Sequence, residues 1–210
     1  MPLVRPLAAS LLLVTGTTAQ AEPDWPNSAV GRWQARALVA TLDAELLASR
    51  SATATLEKWC ADHAIAAPAL IRAERVPGRD RPADAEIRRR LAVSPDEPVR
   101  HRFVRLRCGD KVLSEADNWY VPSRLTPEMN RALDETDTPF GKVVAPLRPF
   151  RRTFEARSPW APDRTATGER LTLPDALFEH RALLFTEANQ PFSEVDEVYR
   201  PGLLDFPPEP

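Results

Sequence analysis

The chain has 210 residues, with 28 Lys and Arg against 30 Asp and Glu, so its formal net charge is −2. That balance, with a sequence pI near 6.0, gives no reason to invoke nucleic acid or an anionic membrane as partner. Twenty-two prolines against seven glycines favour stiff connections over tight glycine turns, and the length suits a single domain with a sizeable core.

Residues 1–21 read as an export signal. Arg5 opens it, residues 7–14 form a short apolar run, and Ala19-Gln20-Ala21 is a small-x-small cleavage site. The alternative is an apolar helix that stays attached. The run is too short to cross a bilayer, and no later segment approaches the ~20 apolar residues a span requires. The expected mature protein, residues 22–210, is therefore one domain, periplasmic or secreted, monomeric and without an integral membrane segment.

Residues 22–27 are a proline-containing lead-in. Over 28–49 the helical period places Val30, Trp33, Leu38, Leu42 and Leu46 on one side. A second helix is expected over 51–64 with Leu56, Trp59 and Cys60 buried, and a strand over 67–76. After a charged loop at 77–82, residues 83–91 predict a short helix in which Glu86 and Arg90 are i,i+4 neighbours. Two antiparallel strands follow, 98–108 and 111–121, joined at Gly109-Asp110. Thr126 caps a helix over 126–133, Glu128 sits in its first turn, and 138–144 contains the turn Pro139-Phe140-Gly141. Residues 149–157 read as a strand with Phe150, Arg152 and Phe154 on one side, and 158–170 as a mobile loop. A hairpin of strands 180–187 and 192–200 closes the domain, and the proline-rich tail 201–210 is expected to fray. Helices first, then mostly consecutive antiparallel strands, predict an α+β fold with one sheet covered on one face by helices.

Several chemistries lack their residues. There is no phosphate-cradling glycine loop, no CxxC and no Gly-x-Ser-x-Gly. His63, His101 and His180 lack metal-ligand spacing and read as surface or packing residues, so no metal and no cofactor is expected. Glu194 and Asp196 fall on the outer side of their strand, and Arg88–Arg90 on a helix face; both are expected to be solvated. Cys60 and Cys108 are the only cysteines. In an exported chain they suggest a disulfide closing a loop of about 49 residues, the alternative being two free core thiols.

Arg102 is the most informative residue. It lies in phase with Val104, Leu106 and Cys108, so its guanidinium is directed toward the core. Glu197 is in phase with Val195 and Tyr199 in the last strand. A buried charge needs a counter-charge, and two readings stand: a buried ion pair, or the two poles of a pocket for a small polar acid.

Four segments in order resemble bacterial chorismate lyases across residues 46–204. Ser51-Ala52-Thr53-Ala54-Thr55-Leu56 is similar to their Ser-x-Thr-x-x-Leu/Phe segment, and Arg102-Phe103-Val104-Arg105-Leu106 to their Arg-x-Val/Ile-x-Leu strand. Thr138-Pro139-Phe140-Gly141-Lys142 resembles their Thr-Pro-Leu-Gly-Arg turn, and Pro191 with Glu197-Val198-Tyr199-Arg200-Pro201 their closing segment. Residues 84–122, with Ile87-x-x-x-Leu91, Ser94-Pro95 and Tyr120-Val121-Pro122, also resemble the effector-binding domain of GntR-type repressors, which shares that fold. No helix-turn-helix region is read ahead of it, so a repressor is not expected.

The resemblance implies that Arg102 holds a substrate carboxylate, that backbone amides at Ala52 and Phe140 complete the anion site, and that Glu197 faces a ring hydroxyl. An ungapped alignment leaves Arg105 as the other candidate. The implied reaction converts chorismate to 4-hydroxybenzoate and pyruvate, with Arg102 orienting the carboxylate and Glu197 assisting at the hydroxyl. Chorismate is made inside cells, so an exported protein using the same pocket to bind a small aromatic carboxylate without turnover is the alternative. A structural envelope partner that has lost the pocket is a third reading.

Overall fold

The computed structural model describes residues 25–208; the expected export signal, residues 1–21, lies outside them. Six strands form one antiparallel sheet: β1 (Ile71–Arg75), β2 (Arg100–Cys108), β3 (Lys111–Tyr120), β4 (Phe150–Arg157), β5 (Phe178–Phe185) and β6 (Pro191–Tyr199). Their order is β1-β2-β3-β6-β5-β4, so the hairpins β2-β3 and β5-β6 meet at the centre of the sheet. Five helices accompany them: α1 (Ala29–Ala48), α2 (Ala52–Asp62), α3 (Ala85–Arg90), α4 (Pro127–Glu135) and α5 (Phe140–Val143). The fold is α+β, as the order of elements predicts. None of these helices is long and apolar enough to cross a membrane.

Local chemistry starts the helices where the sequence suggests. Ser28, Ser51, Asp84 and Thr126 each accept a hydrogen bond from the backbone N–H three residues on, supplying donors at a helix start with an acceptor. Gly109 turns the β2-β3 hairpin at φ +57°, a conformation glycine adopts without steric cost.

One sheet face is covered in two parts. α1 and α2 bury Val39, Leu42, Leu46, Leu56 and Cys60 against Val104, Leu106 and Cys108. α4 and α5 bury Met129, Leu133 and Val143 against Tyr120, Ala182, Leu184 and Val195. The two parts leave a seam between them. On the opposite face α3 covers one corner, packing Ile87 beside Trp119 and Val121.

Several expectations are corrected. The buried side of α1 is Gly31, Ala35, Val39, Leu42 and Leu46, whereas Val30 and Trp33 are exposed. Pro26 is the cause: a Cβ at position 31 would lie 2.2 Å from its carbonyl oxygen, so Gly31 must face it. Trp25 fills the core instead and donates its indole N–H to the Leu204 carbonyl. Trp59 donates likewise to Leu203. The C-terminal segment is thereby held down, with Leu203 and Leu204 buried rather than frayed.

The charges expected in solvent are also partly internal. Glu194 is fully buried, gripped by Arg90 through a fork of 2.6 and 2.7 Å. Arg88 is turned back onto the carbonyls of Ser94, Pro95 and Glu97. Glu194 is covered because α3 lies on the sheet face that alternation assigns to water, whereas Arg88 is drawn to the loop that follows its own helix.

Cys60 of α2 and Cys108 of β2 are bonded, with Cα atoms 6.4 Å apart. The bridge spans 48 residues, which by loop-closure entropy is worth at most about 4 kcal/mol. Replacing both cysteines by alanine is expected to lower unfolding free energy by about 2–4 kcal/mol, read by denaturant titration under oxidising conditions. A loss below about 1 kcal/mol would mean that the bridge adds little to an already docked α2.

Candidate functional site

The seam holds the candidate site. Across the central strands, Arg102 is opposite Asn118 and Asn118 opposite Val195; in the adjoining row Val104 is opposite Ala116 and Ala116 opposite Glu197. Because alternate residues share a face, Arg102 and Glu197 point to the same helix-covered side. Both line one cavity of about 60 Å³, together with Asn118, Arg151, Ala52 and Phe140.

Arg102 is 4% exposed. Its Nε and Nη2 have no hydrogen-bond partner among the described residues. Burial, with repulsion from Arg75, pulls its pKa below the ordinary arginine value. Arginine does not escape such a position by losing its proton, so among the described residues a charged fork is left with no carboxylate bonded to it. Such a group is costly until an anion reaches it.

Glu197 is arranged differently. Arg151 of β4 donates to its Oε2 at 2.5 Å, and the buried Tyr199 hydroxyl donates to the same oxygen at 3.1 Å. Burial opposes the charge on Arg151, but Glu197 outweighs it and raises the Arg151 pKa. Burial first, and then Glu197, push the Tyr199 phenol well above its usual range, so Tyr199 serves as a donor. The buried ion pair is thus Arg151–Glu197, and Arg102 is outside it. Sequence reading missed Arg151, although alternation from Phe150 and Arg152 already turned it inward.

Ala52 begins α2 and Phe140 begins α5, and the two helix starts meet at the cavity. Gly141 permits this approach: a Cβ there would sit 2.9 Å from Thr53 Oγ1 and 3.2 Å from Ser51 Oγ. Lys142 of α5 pairs with Glu57 of α2 at 2.6 Å, holding the two together. Among the described residues neither the Ala52 nor the Phe140 amide donates to the protein. The other candidate, Arg105, is on the opposite sheet face, paired with Glu115 at 2.9 Å and close to Glu74. His180, also fully buried, is a packing residue whose Nε2 meets Asp43 at 2.7 Å.

The two inward arginines predict opposite mutational signs. Arg102→Met removes an uncompensated buried charge and is expected to leave stability unchanged or raise it by about 1–3 kcal/mol. Glu197→Gln strands Arg151 and is expected to cost about 3–5 kcal/mol. Thermal and denaturant unfolding of the two variants measures both, and a destabilised Arg102→Met would mean that the guanidinium is a structural group.

No family model matches the chain. Similar solved structures include YydK of Bacillus subtilis, described as a possible transcriptional regulator, with a TM-score of 0.43 and 15% identity over 67% of this chain; the match spans 61% of that protein's length. A GntR-family regulator of Enterococcus faecalis matches with a TM-score of 0.43 and 13% identity, over 66% of this chain and 99% of that one. The effector domain of PhnF from Mycobacterium smegmatis gives a TM-score of 0.42 and 14% identity, over 62% and 80% of the two chains. Among curated proteins, the uncharacterized protein y4mC of Sinorhizobium fredii is 44% identical over 215 residues, covering 97% of this chain and 88% of that protein. With identity of that degree along nearly the whole sequence, the chain belongs to the family of y4mC.

Proposed function

We propose that this protein binds a small aromatic carboxylate in the seam cavity, as an exported, periplasmic binding protein with a chorismate-lyase-like fold. The observation that carries the reading is Arg102: a buried guanidinium with two unpartnered nitrogens lining an internal cavity. A ligand carboxylate accepts from that fork, and the Ala52 and Phe140 amides add donors at the converging helix starts. Val104, Leu106, Ala116, Leu184 and Val195 form apolar walls for a ring. Glu197, held in place by Arg151, accepts from a hydroxyl at the far end of the ligand.

The second reading is a lyase acting on chorismate. It is favoured by one observation: the four positions implied by the sequence resemblance, Ala52, Arg102, Phe140 and Glu197, all line one cavity. In that reading Arg102 positions the substrate carboxylate, and Glu197 steadies the hydroxyl while the enolpyruvyl group departs. The Arg151–Glu197 pair weighs toward binding, because Arg151 already occupies Oε2 of the carboxylate that the lyase reading needs at the hydroxyl.

Two measurements on the mature protein separate these readings. 4-Hydroxybenzoate at ~100 times its Kd is expected to stabilise the fold by about 2.7 kcal/mol, a rise of several degrees in Tm that Arg102→Met abolishes. Incubation with chorismate is expected to release no 4-hydroxybenzoate or pyruvate. Turnover lost in Arg102→Met would establish the lyase; neither turnover nor Arg102-dependent binding would reject both readings.

A further inference from the structure

Position 118 is where a counter-charge for Arg102 belongs. The two residues are directly opposite in the β2-β3 hairpin and share the helix-covered face. Side chains so placed have Cβ atoms about 4.5–5.5 Å apart. Elsewhere in this sheet an arginine opposite an acid pairs with it. In register, Arg105 meets Glu115 at 2.9 Å, Arg181 meets Glu155 at 3.2 Å, and Arg157 meets Glu179 at 2.9 Å. Opposite Arg102 the chain instead places asparagine, the neutral isostere of aspartate. Asn118 is 4% exposed and held in one orientation, its Oδ1 accepting from the Ser193 hydroxyl of β6 at 3.0 Å. The acceptor half of the amide is thereby engaged away from Arg102. Its Nδ2 donates to nothing among the described residues. Unlike Nε and Nη2 of Arg102, Nδ2 is not enclosed by protein, and Asn118 lines the seam cavity, so this N–H donor opens on it.

We propose that Asn118 sets the charge selectivity of the seam. It withholds a counter-charge from Arg102 and offers the entering ligand an N–H donor, so that the cavity takes an acid and rejects the neutral amide of the same shape. A carboxylate only accepts hydrogen bonds and suits this donor, whereas a carboxamide head brings N–H groups of its own to face it. Arg102 acts here through its charge, a field that requires no accessible nitrogen. Aspartate at position 118 keeps the shape and the Ser193 bond but supplies the missing charge. Arg102 is then compensated, and an acid meets a like charge on entering. The selectivity rests on the carboxylate reading; the withheld counter-charge does not.

Calorimetric titration of the mature protein with 4-hydroxybenzoate and 4-hydroxybenzamide tests the selectivity, and thermal unfolding tests the withheld charge. The unmutated protein is expected to prefer the acid by at least about tenfold. Asn118→Asp is expected to weaken the acid by at least about a hundredfold and to bind the amide at least as tightly as the acid. Asn118→Leu, which removes the donor without adding charge, is expected to weaken the acid by about tenfold and still prefer it. Without ligand, Asn118→Asp is expected to raise Tm by about 2 °C or more, and to lower it in the Arg102→Met background, where the new carboxylate has no partner. A merely structural asparagine loses stability in both backgrounds. An acid preference that survives Asn118→Asp, or no preference in the unmutated protein, would overturn the proposal while leaving carboxylate binding in place. A protein that binds neither probe rejects the carboxylate reading; an Arg102-dependent rise in Tm then upholds the withheld counter-charge, and its absence overturns that too.

Discussion

An arginine with two unpartnered nitrogens, set on the inner face of a β-sheet, is the constraint around which this structure is organised. Arg102 is directed inward by strand alternation alone, and β2 cannot shift by one residue without exposing Val104, Leu106 and Cys108. The guanidinium is therefore held where water is scarce, and no carboxylate among the described residues bonds to it. The helices divide around this position, α1 and α2 on one side and α4 and α5 on the other. The cavity is the gap that division leaves.

The rest of the interior shows how consistently this chain compensates buried charge. Glu194 has the fork of Arg90 and a further bond from Arg181. Glu197 has Arg151 and Tyr199. Arg124 is surrounded by the carbonyls of Leu91, Ala92 and Pro191 and by Glu97. His180 has Asp43. Arg151 Nε, Arg181 Nε and His180 Nδ1 are also without a partner, but each of those side chains meets a carboxylate through another nitrogen. Among the described residues Arg102 does not, and that difference beside a cavity is a functional signal more than a stability device. The pairing of Glu197 also limits its chemistry, since Arg151 and Tyr199 both already donate to its Oε2.

The walls are fixed by connections at both ends of α2. Its start carries Ala52 to the cavity, while Cys60, two turns on, is bonded to Cys108 at the end of the strand that also holds Arg102. Glu57 on the same helix binds Lys142 of α5 and accepts from the Ile71 backbone of β1. A short helix is in this way tied to two strands and to the facing helix. The geometry of its first turn relative to Arg102 then does not depend on α2's own marginal helical stability.

The sequence by itself determined the order of elements, the helix caps, and the inward direction of Arg102 and Glu197, because each follows from a local rule: side-chain capping in the first turn, and a period of two along a strand. It could not determine which inward charges meet. Arg151 and Glu197 lie on strands separated by β5, and the Arg151 side chain crosses to Glu197 only once those strands are assembled. Periodicity also misplaced the face of α1 and the exposure of Glu194, because Pro26 and α3 act on them from outside their own segments. Tertiary structure alone decided that Glu197 is compensated and Arg102 is not. Pairing depends on distances between strands, and a linear pattern records only the face each side chain takes.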